Sequence, residues 1–266
     1  MSTILETIVE QRRKDVAAAK AAVPPEELRR IVAGAPPAMG IVGRLRAAAP
    51  MALMAEVKRA SPSRGDIAPD IDAAEQALSY ARGGAAAISI LTEPTWFKGT
   101  LEDMRCTRER VDRLGPSRPA VLRKDFIVDE YQVVEARVHG ADSVLLIVAA
   151  LPGDELGRLI ACCRGQGMEP LVEVNNTEEM RRAVAAGATF IGINNRDLRD
   201  FSVDLGTTDR LASLAGPDVL LAALSGIQSR ADVLRFQDAG CGAVLVGEAL
   251  MTAADPGVRI AELVGA

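Results

Sequence analysis

Short runs of apolar, mostly β-branched or leucine residues recur along the chain between longer segments of helical character. They predict eight strands, at residues 52–57, 86–91, 120–122, 143–148, 171–174, 190–193, 219–222 and 243–246. The runs are continuous and do not alternate with polar residues, which is typical of strands buried on both faces. We therefore expect a parallel sheet covered by helices.

Helix-like segments lie between these strands, at residues 71–82, 131–139, 154–166, 177–186 and 229–239. Each is followed by a glycine that we take to mark the helix end: Gly83, Gly140, Gly167, Gly187 and Gly240. A doubly wound open sheet would also alternate strands and helices, but no GxGxxG turn follows the first strand. The pattern favours an α/β fold of the (β/α)8 TIM barrel type.

The segment before the first strand predicts further helices, at about residues 5–22 and 26–33, separated by Pro24 and Pro25. We interpret residues 1–48 as an N-terminal helical extension that packs over the barrel or its mouth. Residues 49–266 form the barrel, and the whole of residues 1–266 is predicted to be a single domain.

Composition excludes several classes of protein. Hydrophobic residues make up 48% and charged residues 25% of the chain, as in ordinary globular proteins. The net charge of −5 gives no reason to expect nucleic acid or an acidic membrane as partner. The sequence shows neither a signal peptide nor a membrane-spanning run, so we expect a cytoplasmic protein. It does not indicate an oligomeric state.

Cysteine and histidine are too sparse to suggest a metal site. The four cysteines contain no CxxC pair, and His139 is the one histidine. We interpret the cysteines as reduced packing residues. His139 directly precedes Gly140 and is expected to cap a helix.

Charged residues are concentrated where the active site of a barrel lies, at the carboxyl ends of the strands. The first strand runs through Glu56 to Lys58, whose side chains face the same way because a strand has a period of two. Lys124 and Glu173 end the third and fifth strands. Such groups could form structural ion pairs. Burying each charge is costly, however, so four of them in one pocket would be an unfavourable way merely to fill a core, and we favour a role in proton transfer.

Small residues follow the last two strands, at Ser225 with Gly226 and at Gly247 with Glu248. Barrels commonly bind phosphate there through backbone N–H groups, although a glycine can also serve only a tight turn. After the second strand, Trp96 and Phe97 are expected either to form an apolar wall for an aromatic substrate or to pack the loop.

The segments AEVKRASPSRG, ISILTE, LRKDF, VDEYQVVEAR, LVEV, IGINNRDL and VLVGEALM, in this order, closely resemble the indole-3-glycerol phosphate synthases. The resemblance implies a (β/α)8 barrel that converts 1-(2-carboxyphenylamino)-1-deoxyribulose 5-phosphate to indole-3-glycerol phosphate, carbon dioxide and water. It implies a small sugar-phosphate substrate and no metal or organic cofactor.

The resemblance also implies roles for individual residues. Lys124 and Lys58 are the candidate general acids, in an order that the sequence leaves open, and Glu173 is the general base or proton relay. Glu56 would orient the lysines. The remaining members of the site would hold the substrate: Asn194, Arg196, Ser61 and Phe126 its polar and aryl groups, and Ser225, Gly226, Gly247 and Glu248 its phosphate end.

Two positions depart from the family pattern. Many members read AESG after the seventh strand, whereas this chain has Leu224 in place of the glutamate. The other is Glu248, where some members have serine and where a carboxylate would repel a phosphate unless it turns away.

Two other functions are consistent with such a barrel. A phosphoribosylanthranilate isomerase would need a Cys and Asp pair, and no cysteine ends a strand here. A non-catalytic sugar-phosphate-binding barrel would not need Lys58, Lys124 and Glu173.

Overall fold

A computed structural model of the chain describes residues 3–199 and 201–265, and its central feature is a closed barrel of parallel strands. Eight strands of the described residues form the barrel, each paired with the next one in the chain and the last with the first. They are β1 (Ala52–Val57), β4 (Ala87–Leu91), β5 (Ala120–Lys124), β6 (Ser143–Ile147), β7 (Leu171–Val174), β8 (Phe190–Asn194), β9 (Leu220–Leu224) and β10 (Ala243–Val246). The remaining pair, β2 (Ala60–Ser61) and β3 (Gly65–Asp66), is a small antiparallel ribbon in the loop after β1. The predicted (β/α)8 TIM barrel is confirmed.

The predicted strand bounds agree with the structure at β1, β7 and β10, whereas β5 and β9 extend further at their carboxyl ends. The sequence pattern stopped β5 at Leu122 because two charged residues follow. In the structure Arg123 is completely buried, since Glu135 and the carbonyl oxygen of Gln132 accept hydrogen bonds from its guanidinium. Strand β5 therefore continues to Lys124.

Side chains of each strand alternate between the barrel interior and the surrounding helices. One buried cluster, with members such as Met54, Leu122 and Leu171, fills the interior. The residues next to them in sequence, such as Leu53 and Val121, pack with the helices in another cluster. By this period of two, Glu56, Lys124, Glu173, Asn194 and Leu224 all belong to the interior face of their strands.

Helices cover the outside of the barrel. They are α4 (Ala73–Arg82), α5 (Leu101–Asp112), α6 (Glu130–Val138), α7 (Glu155–Gly165), α8 (Thr177–Ala185), α9 (Gly206–Ala212), α10 (Arg230–Asp238), α11 (Glu248–Met251) and α12 (Pro256–Val264). Four of the five glycines predicted to end helices have positive φ, but Gly83 does not, because Gly84 takes that conformation with φ +96°. Helix α4 nevertheless ends at Arg82 with Gly83 as its cap, so the prediction that Gly83 marks this helix end is confirmed.

The N-terminal extension forms α1 (Ile4–Ala22), α2 (Pro25–Val32) and α3 (Ile41–Arg46). Helix α3 buries Ile41 and Leu45 completely and lies at the amino ends of the strands, where Arg44 and Arg46 donate to carbonyl oxygens of the loops before β5 and β9. Helix α1 lies at the opposite end, and its Leu5 joins the interior cluster. The extension therefore contacts both ends of the barrel.

In the described part of the chain, no helix combines the length and the apolar character needed to cross a membrane.

Candidate active site

A cavity of about 320 Å³ opens at the carboxyl ends of the barrel strands. All twelve site residues predicted from the sequence line it: Glu56, Lys58, Ser61, Lys124, Phe126, Glu173, Asn194, Arg196, Ser225, Gly226, Gly247 and Glu248. They come from six strand ends that are far apart in sequence. The barrel brings these residues together, so we take this cavity, called the mouth below, as the candidate active site.

Lys58 and Glu56 form a close ion pair on one side of the mouth, with 2.7 Å between Lys58 Nζ and Glu56 Oε1. The Glu56 side chain is 6% exposed and that of Lys58 is 19% exposed. Burial works against ionisation of Glu56, but the ammonium groups of Lys58 and Lys124 outweigh it and lower the pKa of Glu56. Glu56 is thus a carboxylate that holds Lys58 in place.

Lys124 faces Glu173 across the mouth, with 3.9 Å between Lys124 Nζ and Glu173 Oε2. Asn194 donates a hydrogen bond of 2.9 Å to Glu173 Oε1, while buried Glu173 Oε2 has no hydrogen-bond partner among the described residues. The Asn194 side chain in turn accepts the backbone N–H of Arg196. One oxygen of Glu173 is therefore fixed, and the other remains available to a proton.

A buried ionic cluster lies directly behind Lys124. Asp125 Oδ2 accepts hydrogen bonds from Arg12 and Arg123, at 3.1 and 3.0 Å, and from the Thr92 hydroxyl at 2.6 Å. Burial opposes ionisation, but Arg123 and then Arg12 lower the pKa of Asp125. Because Arg12 belongs to α1, the extension is bonded to the residue next to Lys124.

Aromatic and aliphatic side chains form another wall of the mouth. The rings of Phe97 and Phe126 lie with centroids 6.0 Å apart. The Phe97 loop is held by buried Glu93, whose carboxylate accepts the backbone N–H groups of residues 95, 96 and 97. Trp96 packs against the interior cluster and is not among the residues that line the mouth. Phe97 packs against the same cluster but also lines the mouth, so of the two residues Phe97 is the candidate for an apolar wall.

The far end of the mouth consists of the turns after β9 and β10. Ser225 and Gly226 both have positive φ, +64° and +81°. A Cβ on Gly226 would lie 2.7 Å from Leu205 Cδ2, and one on Gly247 would lie 2.7 Å from Glu56 Oε1. Gly226 is therefore favoured by its positive φ, and a Cβ at either position would force a neighbouring side chain to move. Both glycines line the mouth through their backbone.

Glu248 lines the same end and forms an ion pair with Arg64 of the loop after β1. The carboxylate is thereby partly neutralised by a guanidinium at the rim. Arg64 was not singled out from the sequence, because a single arginine in a polar loop gives no signal.

Other candidate groups lie away from the mouth. Cys106 and Cys162 are partly buried, Cys163 and Cys241 are buried, and all four are free thiols. Burial raises the pKa of Cys241 to about 12. Within residues 3–199 and 201–265 no group of three potential metal ligands occurs. His139 is the cap residue of α6, and its Nδ1 lies 2.9 Å from the Glu135 carbonyl oxygen, as predicted.

Comparison with known proteins identifies the family. The model of the indole-3-glycerol phosphate synthase family matches residues 5–263. This chain belongs to the indole-3-glycerol phosphate synthase family. A relative named indole-3-glycerol phosphate synthase from Roseiflexus sp. (strain RS-1) is 45% identical and is aligned over 100% of this chain and 99% of its own length.

Relatives with several functions also match. The multifunctional tryptophan biosynthesis protein of Phanerodontia chrysosporium is 56% identical over 98% of this chain. The chain spans only 34% of that protein, about a third of its length. Among solved structures, a 3-hexulose-6-phosphate synthase has a TM-score of 0.59 at 19% identity, over 80% of this chain and 98% of its own length. That likeness shows the fold alone.

The position where many indole-3-glycerol phosphate synthases carry glutamate is occupied here by buried Leu224. Its side chain lies over Gly192, where an added Cβ would approach Leu224 Cδ1 to 2.7 Å. It also lines the mouth. This part of the site is therefore apolar, and the charged residues Glu56, Lys124 and Glu173 lie on strands that do not pair with β9, namely β1, β5 and β7.

Proposed function

We propose that this chain catalyses the ring closure that converts 1-(2-carboxyphenylamino)-1-deoxyribulose 5-phosphate to indole-3-glycerol phosphate, carbon dioxide and water. The observation that carries the proposal is the convergence of Lys58, Lys124 and Glu173 in one mouth with a glycine-lined end. Family membership supports the same reaction. The four free cysteines fit a reducing compartment, and we propose the cytoplasm.

The chemistry requires a group that gives protons and a group that takes one. In ring closure, the aryl carbon bearing the carboxylate bonds to the ketone carbon, C2 of the deoxyribulose, and the ketone oxygen takes a proton from a lysine. Carbon dioxide then leaves and the aryl ring regains its aromaticity. In dehydration, the new hydroxyl leaves as water with a second proton, while C1 loses a proton to Glu173.

Each predicted residue has a place in this scheme. Lys124 and Lys58 are the proton donors, and Glu56 orients Lys58 through their ion pair. Asn194 fixes Glu173 so that its second oxygen is free to receive the C1 proton.

The substrate is oriented by its two anionic ends. We propose that Arg196 and Ser61 bind the carboxylate, and that Phe126 with Phe97 contacts the aryl ring. At the other end, the backbone of Gly226 and Gly247 and the Ser225 hydroxyl hold the phosphate.

Glu248 would bind no phosphate oxygen itself. Its ion pair with Arg64 keeps a cation beside the phosphate end.

The experiment is to add the substrate to purified protein with a chelator present and to follow indole fluorescence. Lys124→Ala and Lys58→Ala are compared with Lys14→Ala, which removes an exposed lysine of α1. We expect the wild type and Lys14→Ala to form product and both mouth variants to lose at least about a hundredfold in kcat. A folded wild-type protein that binds the substrate without forming product would instead indicate a non-catalytic barrel.

The isomerase alternative finds no support in the site. Its Cys and Asp pair has no counterpart in the mouth, because the residues that line this cavity include no cysteine.

A further inference from the structure

A small second cavity lies behind Glu173. Its volume is about 70 Å³, and it is lined by Leu5, Ile147, Ala149, Glu173, Val174, Asn175, Glu179, Asp197, Leu198 and Arg199. Glu173, Ile147 and Leu198 also line the mouth. Glu173 is therefore part of the wall between the two cavities.

The hydrogen bonding of Glu173 is incomplete on the protein side. Its Oε1 accepts from Asn194, whereas its buried Oε2 lacks a hydrogen-bond partner among the described residues and lies 3.9 Å from Lys124 Nζ. A buried carboxylate oxygen without a donor is costly. The second cavity is polar along one side and large enough for water, which needs only about 10–15 Å³ of such volume.

Glu179 is the second carboxylate of this cavity. It is fixed at the start of α8 by hydrogen bonds of 2.7 Å from the Asn175 backbone N–H and from Asn176 Nδ2. Burial, together with the negative charge of Glu173, raises the pKa of Glu179, although the hydrogen bonds and Arg199 act in the opposite direction. A raised pKa extends the range of pH over which a carboxyl group can carry a proton.

The cavity also reaches the surface. Ala149 and Arg199 line it and are both exposed, and Asp197, which pairs with Arg199, lines it as well. Solvent can therefore reach this side of Glu173 while a substrate fills the mouth.

The proposed reaction needs such an entry for protons. The ketone oxygen takes up two protons on its way to water, and C1 gives one to Glu173. The carboxylate leaves as neutral carbon dioxide, so each turnover consumes one proton from solvent. Glu173 can return the C1 proton to Lys124, but this exchange does not supply the additional one.

We propose that Glu179 and water in the second cavity deliver this proton to Glu173, and through it to Lys124. Glu179 does not touch the substrate and acts through Glu173. This inference rests on the proposed function. The hydrogen bonds of Glu179 to residues 175 and 176 explain how this side chain is held. The relay is suggested by the place of Glu179 in a cavity that Glu173 also lines.

The test compares Glu179→Gln with Glu178→Gln, which changes the neighbouring, exposed carboxylate of α8. Indole fluorescence is measured in single turnovers, and proton uptake is followed with an indicator dye in weak buffer. We expect Glu179→Gln to slow product formation about tenfold with KM within twofold of wild type. Added formate should restore part of the rate, since formic acid is small enough to enter the cavity, whereas Glu178→Gln should behave like wild type.

A structural role for Glu179 would give a different result. Loss of the hydrogen bonds from residues 175 and 176 alone would lower thermal stability without any rescue by formate. A single-turnover rate within twofold of wild type and insensitive to formate would overturn the relay.

A second variant covers the case in which Glu179→Gln does not fold. Ala149→Met enlarges a side chain that lines the second cavity and leaves Glu179 intact. It should slow single turnovers to a similar extent, and an unchanged rate would overturn the relay. Failure of the proposed function is distinguishable, because the wild type itself would then form no indole product.

Discussion

Replacing Glu173 with glutamine tests whether the Lys124–Glu173 pair serves chemistry or stability. The substitution keeps the shape of the side chain and the Oε1 acceptor for Asn194, and it removes the negative charge. If Glu173 is the base, activity should collapse while the fold is retained. If the pair is only structural, activity should be retained and the fold should be destabilised.

The geometry gives the expected magnitudes. At 3.9 Å and an effective dielectric constant of about 20, the attraction between the two charges is about 4 kcal/mol. The Glu173 side chain is 4% exposed, and taking its charge out of water on folding costs several kcal/mol. The attraction to Lys124 and this desolvation cost therefore nearly cancel. We expect the free energy of unfolding to change by no more than about 1 kcal/mol. Loss of a general base should lower kcat by about 10²–10⁴, equivalent to about 3–5 kcal/mol in the barrier.

Both quantities are measurable on the same preparation, by urea unfolding and by indole fluorescence. Glu135→Gln is the matched control, because Glu135 pairs at 2.9 Å with buried Arg123 on the outer face of β5. That variant should lose about 1–3 kcal/mol of stability and keep its activity within about threefold. A Glu173→Gln protein that is destabilised by more than about 3 kcal/mol, yet retains a tenth of the wild-type kcat, would refute the assignment.

Three other perturbations have defined outcomes. Gly226→Ala forces a side chain to 2.7 Å from Leu205 at φ +81°, so we expect KM to rise at least about tenfold in steady-state kinetics; an unchanged KM would place the phosphate elsewhere. The pKa of Glu56 is lower in the folded protein than its usual value of 4.5. The Glu56 carboxylate therefore stabilises the fold fully above pH 4.5, and this stabilisation is lost as the pH falls through the folded pKa. Acid titration should therefore destabilise Glu56→Gln less than wild type below about pH 4.5, and parallel curves would contradict this. Asp125→Ala leaves two buried guanidiniums, one of them Arg12, without their shared partner and should cost about 3–5 kcal/mol in urea unfolding; a cost below about 1 kcal/mol would show that the cluster is dispensable.

The barrel and the membership of its mouth were predictable because they depend on local patterns. Continuous apolar runs marked the strands, and charged residues after them marked the carboxyl ends. The two-residue repeat of a β-strand then placed the side chains of Glu56 and Lys58 on the same face of the first strand, without any knowledge of the tertiary structure. The roles assigned to these residues remain proposals.

What the sequence did not predict depends on contacts between distant segments. The third strand was predicted to end before Arg123 because a charged residue is usually exposed, and only partners such as Glu135 and Asp125 make its burial possible. The bond from Arg12 to Asp125 joins residues 113 positions apart. Helix α5 was missed because few of its residues are apolar and its buried face includes Thr107 and Arg108.

The close approach of Gly247 to Glu56 has a consequence for redesign of substrate preference. The same glycine faces the proposed phosphate end and touches the carboxylate that orients Lys58. Any larger residue at position 247, chosen to accept a smaller anionic group, would displace Glu56 and with it the proton donor. Selection for new substrates in this scaffold should therefore accept changes in the ion pair at the rim of this end, at Arg64 and Glu248, well before it accepts any at position 247.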